Sequence, residues 1–113
     1  MKHFALALDL KDDSKLIAEY EAYHREVWPE VLEAIRHVGI LDMKIFRLGS
    51  RMFMQMTTTD EYDEAEAQIY LASDPKSQEW EKLMDTYQQR LVGYPAEKKW
   101  IQMSCCFDLS EQK

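Results

Sequence analysis

The chain reads as an α+β domain in the order β-α-β-β-α-β, an antiparallel sheet carrying its helices on one face. Three observations predict this. "HFALALDL" (3–10) alternates as a strand does, "ILDMKIFRL" and "RMFMQMTTT" meet head to tail at Gly49–Ser50, and helical stretches separate these strands from a last apolar run, "KKWIQMSCCFDL".

The first strand places Phe4, Leu6, Leu8 and Leu10 on one face and His3, Ala5, Ala7 and Asp9 on the other. The polar turn "KDDS" ends it, and Ser14 is expected to cap a helix from Lys15 to about Glu26. Leu16, Tyr20, Tyr23 and Val27 follow helical spacing. Pro29 lacks an N–H and biases Trp28 away from helical angles, so a kink or a fresh start belongs there. Val31, Leu32 and Ile35 continue the apolar stripe until Gly39 ends it. Strands over 40–48 and 51–59 make a hairpin, and an acidic helix is expected from about Asp60 to Leu71. Asp74 and Pro75 open a helix expected to reach Arg90. "VGYPAE" reads as a loop, 98–109 as the last strand and "SEQK" as a tail. This order matches the ferredoxin-like split βαβ unit.

With 113 residues, 46% of them hydrophobic, the chain is long enough for one domain with a packed core. A domain this small leaves much surface uncovered, and dimerisation is a natural remedy. The formal net charge of −7 repels phosphate backbones, and no basic run exceeds Lys98–Lys99, so nucleic-acid binding is disfavoured. Neutral ligands suit the charge better. No apolar stretch approaches the roughly 20 residues of a membrane helix, and the N-terminus has no small-residue cleavage pattern. Adjacent Cys105 and Cys106 would point to opposite sides of a strand, which argues against a mutual disulfide and for reduced thiols in a cytoplasmic protein.

Tyr20 and His24 stand four residues apart, one above the other on one helix face. Histidine exchanges protons near neutral pH, and a phenol one turn away can hold the imidazole or a ligand. An ordinary amphipathic helix, with a half-buried Tyr and a solvent-tipped His, would show the same spacing. Metal binding has little support: His3, His24 and His37 are scattered, and Cys105–Cys106 is no C-x-x-C. Only three glycines occur, none in a phosphate-binding frame, and no serine sits in a nucleophile elbow. "MFMQM" is adaptable packing. Trp80 anchors a helix to the sheet or offers its indole face to the C–H surface of a sugar. On the sheet face away from the helices, the alternation gathers Ala5, Ala7, Phe53, Gln55, Trp100, Gln102 and Ser104. That mixture suits a cavity closed by loops or by a second subunit.

The run "YEAYHREVWPEVLEAIRHVG" (20–39), the "RLGSRMFMQM" hairpin, "QEWEKLM" (78–84) and the closing aromatic strand together resemble the L-rhamnose mutarotase family. The resemblance covers nearly the whole chain. It implies a ferredoxin-like domain that forms a homodimer of the dimeric α/β-barrel type. The implied activity is interconversion of the α and β anomers of a 6-deoxyhexose, a neutral monosaccharide, without cofactor or metal. It places His24 at the proton donor, Tyr20 at a sugar-contacting tyrosine and Trp80 at the first of two sugar-holding tryptophans. Glu81 stands where the second tryptophan is expected, and Met43 where a sugar-contacting tyrosine is expected. Trp100 joins them as a candidate contact. The opening "ALALDLKDD" and "RLGSRMFM" are similar to the subgroup associated with L-fucose. Two other readings use the same fold: a cofactor-free oxygenase or haem-binding barrel protein, which needs an axial ligand such as His24 or His37, and a non-catalytic small-ligand binding module.

Overall fold

The computed structural model describes residues 1–112. Its elements are β1 (Lys2–Leu10), α1 (Ser14–Arg25), α2 (Pro29–His37), β2 (Ile40–Leu48), β3 (Arg51–Thr58), α3 (Glu64–Ser73), α4 (Pro75–Asp85), β4 (Gln88–Gln89) and β5 (Ile101–Gln102), followed by a short 3-10 turn at Leu109–Glu111. The strands order as β2-β3-β1-β4, and β5 also pairs with β1. Every strand pairing is antiparallel. Helices cover one face only, which makes this the expected ferredoxin-like arrangement.

Local chemistry sets the boundaries. The cap of α1 is Asp13, one residue before the expected Ser14: its carboxylate accepts from the Lys15 and Leu16 amides. A carboxylate there also complements the helix dipole. Asp63 and Asp74 cap α3 and α4 in the same way. Asp63 therefore starts the third helix later than the expected Asp60. The break at Trp28–Pro29 is a fresh start, with Pro29 in the first turn of α2. The last helix stops at Asp85, short of Arg90. The chain then becomes extended, so that Gln88 and Gln89 pair with Leu10 and Asp9.

The final strand is much shorter than 98–109. Ladder pairing covers Ile101 and Gln102, and the last rung is the Met103 amide on the Ala5 carbonyl. Residues from Met103 to Asp108 are exposed and bury nothing that would hold a longer ladder.

Pairing register sorts the side chains. Leu6 and Leu8 stand opposite Met54 and Met52, while Met43 and Ile45 stand opposite Met56 and Met54, all on the helix side. A bulge at Ile40/Asp42 absorbs Leu41 and keeps that phase. Leu8, Leu10, Tyr20, Val31, Met52, Trp80, Met84 and Tyr87 form the larger core cluster, and Ile40, Met54, Met56, Tyr62 and Ala67 a second. The methionines are thus core packing.

The opposite face differs from expectation in one respect. Ala5, Ala7, Phe53 and Gln55 do lie there, but Gln102 stands opposite Leu6 and so faces the helices. Trp100 packs against both core clusters, and Ile101, opposite Ala7, takes the outer position instead. Ser104 lies beyond the pairing.

Gly39 ends α2 with φ +100°, and a Cβ built there would meet Thr59 Oγ1 at 3.0 Å. Gly49, at φ +61°, has open space around it. Gly39→Ala should therefore lower unfolding free energy by more than Gly49→Ala, which carries only the left-handed penalty of roughly 1–2 kcal/mol. Urea denaturation of both variants measures the difference.

Candidate active site

The site is built on the last turn of α1, where Tyr20 turns inward and His24 sits half-buried beside it. His24 Nδ1 lies 2.9 Å from the Tyr20 carbonyl oxygen. Its ring is 4.3 Å from the Tyr20 ring and meets the Trp80 ring edge-on at 5.4 Å. Trp80 is held in turn by Trp28, 5.2 Å away. The imidazole is thus wedged between two aromatic rings supplied by α1 and α4.

Below it a hollow of about 220 Å³ opens between α1 and the helix-facing side of the β2–β3 hairpin. Tyr20, Glu21, His24 and Arg25 line it from the helix, Ile45, Arg47 and Met52 from the sheet. Arg47 and Glu21 pair across it at 3.3 Å. The hollow therefore lies on the helix side of the sheet, where α1 leaves a gap over β2, and not on the bare face where the alternation placed it.

Charge is controlled by burial. Desolvation lowers the His24 pKa below the ordinary 6.5, partly offset by the bond to the Tyr20 carbonyl, so the ring is neutral at pH 7. A carbonyl only accepts, so the neutral ring carries its proton on Nδ1. Its other nitrogen, Nε2, then holds the lone pair and has no hydrogen-bond partner among the described residues. Burial raises the Tyr20 pKa, a bond from the Gln88 amide opposes this, and the Glu81 charge adds to it; the phenol stays protonated. A neutral base and a protonated phenol on one wall suit proton transfer to and from a neutral ligand.

The other expected contacts are placed differently. Trp80 is buried and reaches the site through the imidazole. Met43 packs against the second core cluster. Glu81 is exposed, and Lys99 binds both its carboxylate, at 3.0 Å, and its backbone carbonyl, at 3.1 Å. Trp100 is wedged between the two clusters. None of these four lines the His24 hollow. Sequence reasoning missed Glu21, Arg25, Ile45, Arg47 and Met52. Alternation along β2 and β3 carried the signal for the last three, since each shares a face with the core. Gln88 was hidden inside an overlong helix.

Fold and site together define a ferredoxin-like domain that holds a neutral imidazole over a monosaccharide-sized hollow. The L-rhamnose mutarotase family model matches residues 3–109. The chain is 43% identical over 113 residues to the L-fucose mutarotase of Xanthomonas campestris pv. campestris, covering 98% of this chain and 90% of that one. It is 31% identical over 85 residues to the L-rhamnose mutarotase of Burkholderia ambifaria, covering 75% and 81%. The crystal structure of an L-rhamnose mutarotase from Formosa agariphila superposes with a TM-score of 0.71 at 18% identity, over 96% of this chain and 99% of that one. The chain belongs to the L-rhamnose mutarotase family.

A His whose pKa falls on folding adds stability that is complete above pH 6.5 and fades as pH drops through its folded-state value. NMR titration of the imidazole should show a midpoint below 6.5. His24→Gln should flatten the rise in denaturation midpoint between the folded-state pKa and pH 6.5.

Proposed function

We propose that this protein is a sugar mutarotase that interconverts the α and β anomers of a 6-deoxyhexose, L-fucose before L-rhamnose. The observation that carries the reading is the free Nε2 of neutral His24 beside a hollow of about 220 Å³, in a chain of this family. The preference for L-fucose rests on the closer identity to the L-fucose mutarotase. Ile45 and Met52 offer an apolar surface to the deoxysugar methyl, while Glu21, Arg25 and Arg47 are at hand for hydroxyls.

Ring opening breaks the anomeric O–H and the bond from C1 to the ring oxygen, and forms C1=O and a new O–H on the ring oxygen. Both oxygens are attached to C1. His24 first acts as base on the anomeric hydroxyl, and the resulting imidazolium is then the acid toward the ring oxygen. Rotation about C1–C2 and the reverse sequence give the other anomer. Tyr20 contacts the sugar beside it. Trp80 acts here by holding the imidazole, and Glu81 is engaged by Lys99.

We place the enzyme in the cytoplasm, supported by exposed, unpaired Cys105 and Cys106. No described helix is long and apolar enough to cross a membrane. A homodimer is supported by the uncovered sheet face, where Phe46 and Phe53 stack at 6.0 Å and are 52% and 38% exposed, with Leu48 85% exposed.

His24→Ala should lower the catalysed rate by about 10²-fold or more while the circular dichroism spectrum is kept. Saturation-transfer NMR between the anomers of L-fucose measures this, and undiminished exchange removes His24 from the mechanism. Phe46→Lys should convert the dimer to monomer by light scattering; a wild-type monomer overturns the dimer.

A further inference from the structure

Gln88 carries a polar group that the core does not require. It is 7% exposed, on β4 opposite Leu10. Its amide oxygen has no partner among the described residues, and its amide nitrogen lies 3.4 Å from the Tyr20 hydroxyl. An orphaned buried acceptor is costly, and a Met or Leu would fill the same space without that cost. The one side-chain bond the amide makes leads to the catalytic wall: Gln88 to Tyr20, then Tyr20 to His24 through ring contact and carbonyl.

We infer that Gln88 is a positioning residue for this reaction: by donating to the Tyr20 oxygen it leaves the phenol proton free to be offered to the bound sugar. An amide N–H donates, so the phenol oxygen accepts on the protein side and its own proton must turn elsewhere. Tyr20 lines the hollow beside His24. A phenol presented this way donates a hydrogen bond to the sugar oxygen that gathers negative charge as His24 removes the anomeric proton. Tyr20 is then the electrophilic partner of a base that works from its neutral form. The oppositely oriented amide would accept the phenol proton, and Tyr20 would face the sugar as an acceptor.

The inference rests on the mutarotase reading, so its test has one readout independent of turnover. Gln88→Met keeps the volume and removes the donor. Tyr20, followed by NMR of its labelled ring carbon, should then titrate at higher pH than in the wild type, because the Gln88 bond favours the phenolate. In anomer exchange, kcat should fall about tenfold or more with KM changed less than threefold, as befits an interaction that strengthens in the transition state. Gln88→Leu provides the same comparison should the Met variant fold poorly, with thermal melts checking both. A Tyr20 titration that stays put or moves to lower pH, or a retained kcat, overturns the role of Gln88. If the wild type itself does not accelerate exchange, the mutarotase reading fails, and the Tyr20 titration alone decides whether Gln88 donates.

Discussion

A carbonyl oxygen has no proton to give, so the contact between the Tyr20 carbonyl and His24 Nδ1 settles the tautomer of a neutral imidazole. That bond also fixes the ring plane, because donor and acceptor sit one turn apart on a single helix. The rest of the site follows from it. Without the bond the ring could turn, and either nitrogen could face the hollow. With it, Nε2 alone is available. The bond also moderates the effect of burial on the ring's basicity, so the imidazole is a base that can still be protonated.

Packing makes the bond durable. Tyr20 is anchored among Leu8, Leu10 and Met52, and Trp80 closes the imidazole from the α4 side. Truncating a buried side chain such as Met52 costs about 2–5 kcal/mol in a typical core and would also remove part of the hollow's floor. The break at Trp28–Pro29 matters here too. A single helix through residue 37 would carry Trp28 along the axis of α1, whereas the fresh start lets α2 turn and brings Trp28 against Trp80.

Much of the fold was legible because strand alternation and turn chemistry are local. The β1 pattern, the Gly49–Ser50 hairpin and the Pro29 break each follow from a few neighbouring residues. The pair at 20 and 24 was equally local. What was not legible depended on distant partners. Gln88 leaves the helical pattern because β1 offers an edge at Leu10 and Asp9, which no window around residue 88 contains. Trp100 turns inward because the register at Ala7–Ile101 sets its phase. The bare face carries the unusual composition, yet the hollow lies on the other side. Its real walls, Ile45 and Met52, look like ordinary core positions, and only the gap beneath α1 distinguishes them.

Glu81 is engaged by Lys99 and lies outside the lining of the His24 hollow. Lys99 binds both its carboxylate and its backbone carbonyl and lies within 3.6 Å of Asp85, so this lysine pins the approach to β5 onto α4. In the proposed mechanism no carboxylate is needed, since the hydroxyl to be deprotonated and the oxygen to be protonated are attached to one carbon. One imidazole that begins neutral can serve both in turn. A cationic imidazolium at rest would start instead as the acid toward the ring oxygen, and burial between Tyr20 and Trp80 disfavours that form. The same burial that holds the ring in place therefore also selects the protonation state in which it begins.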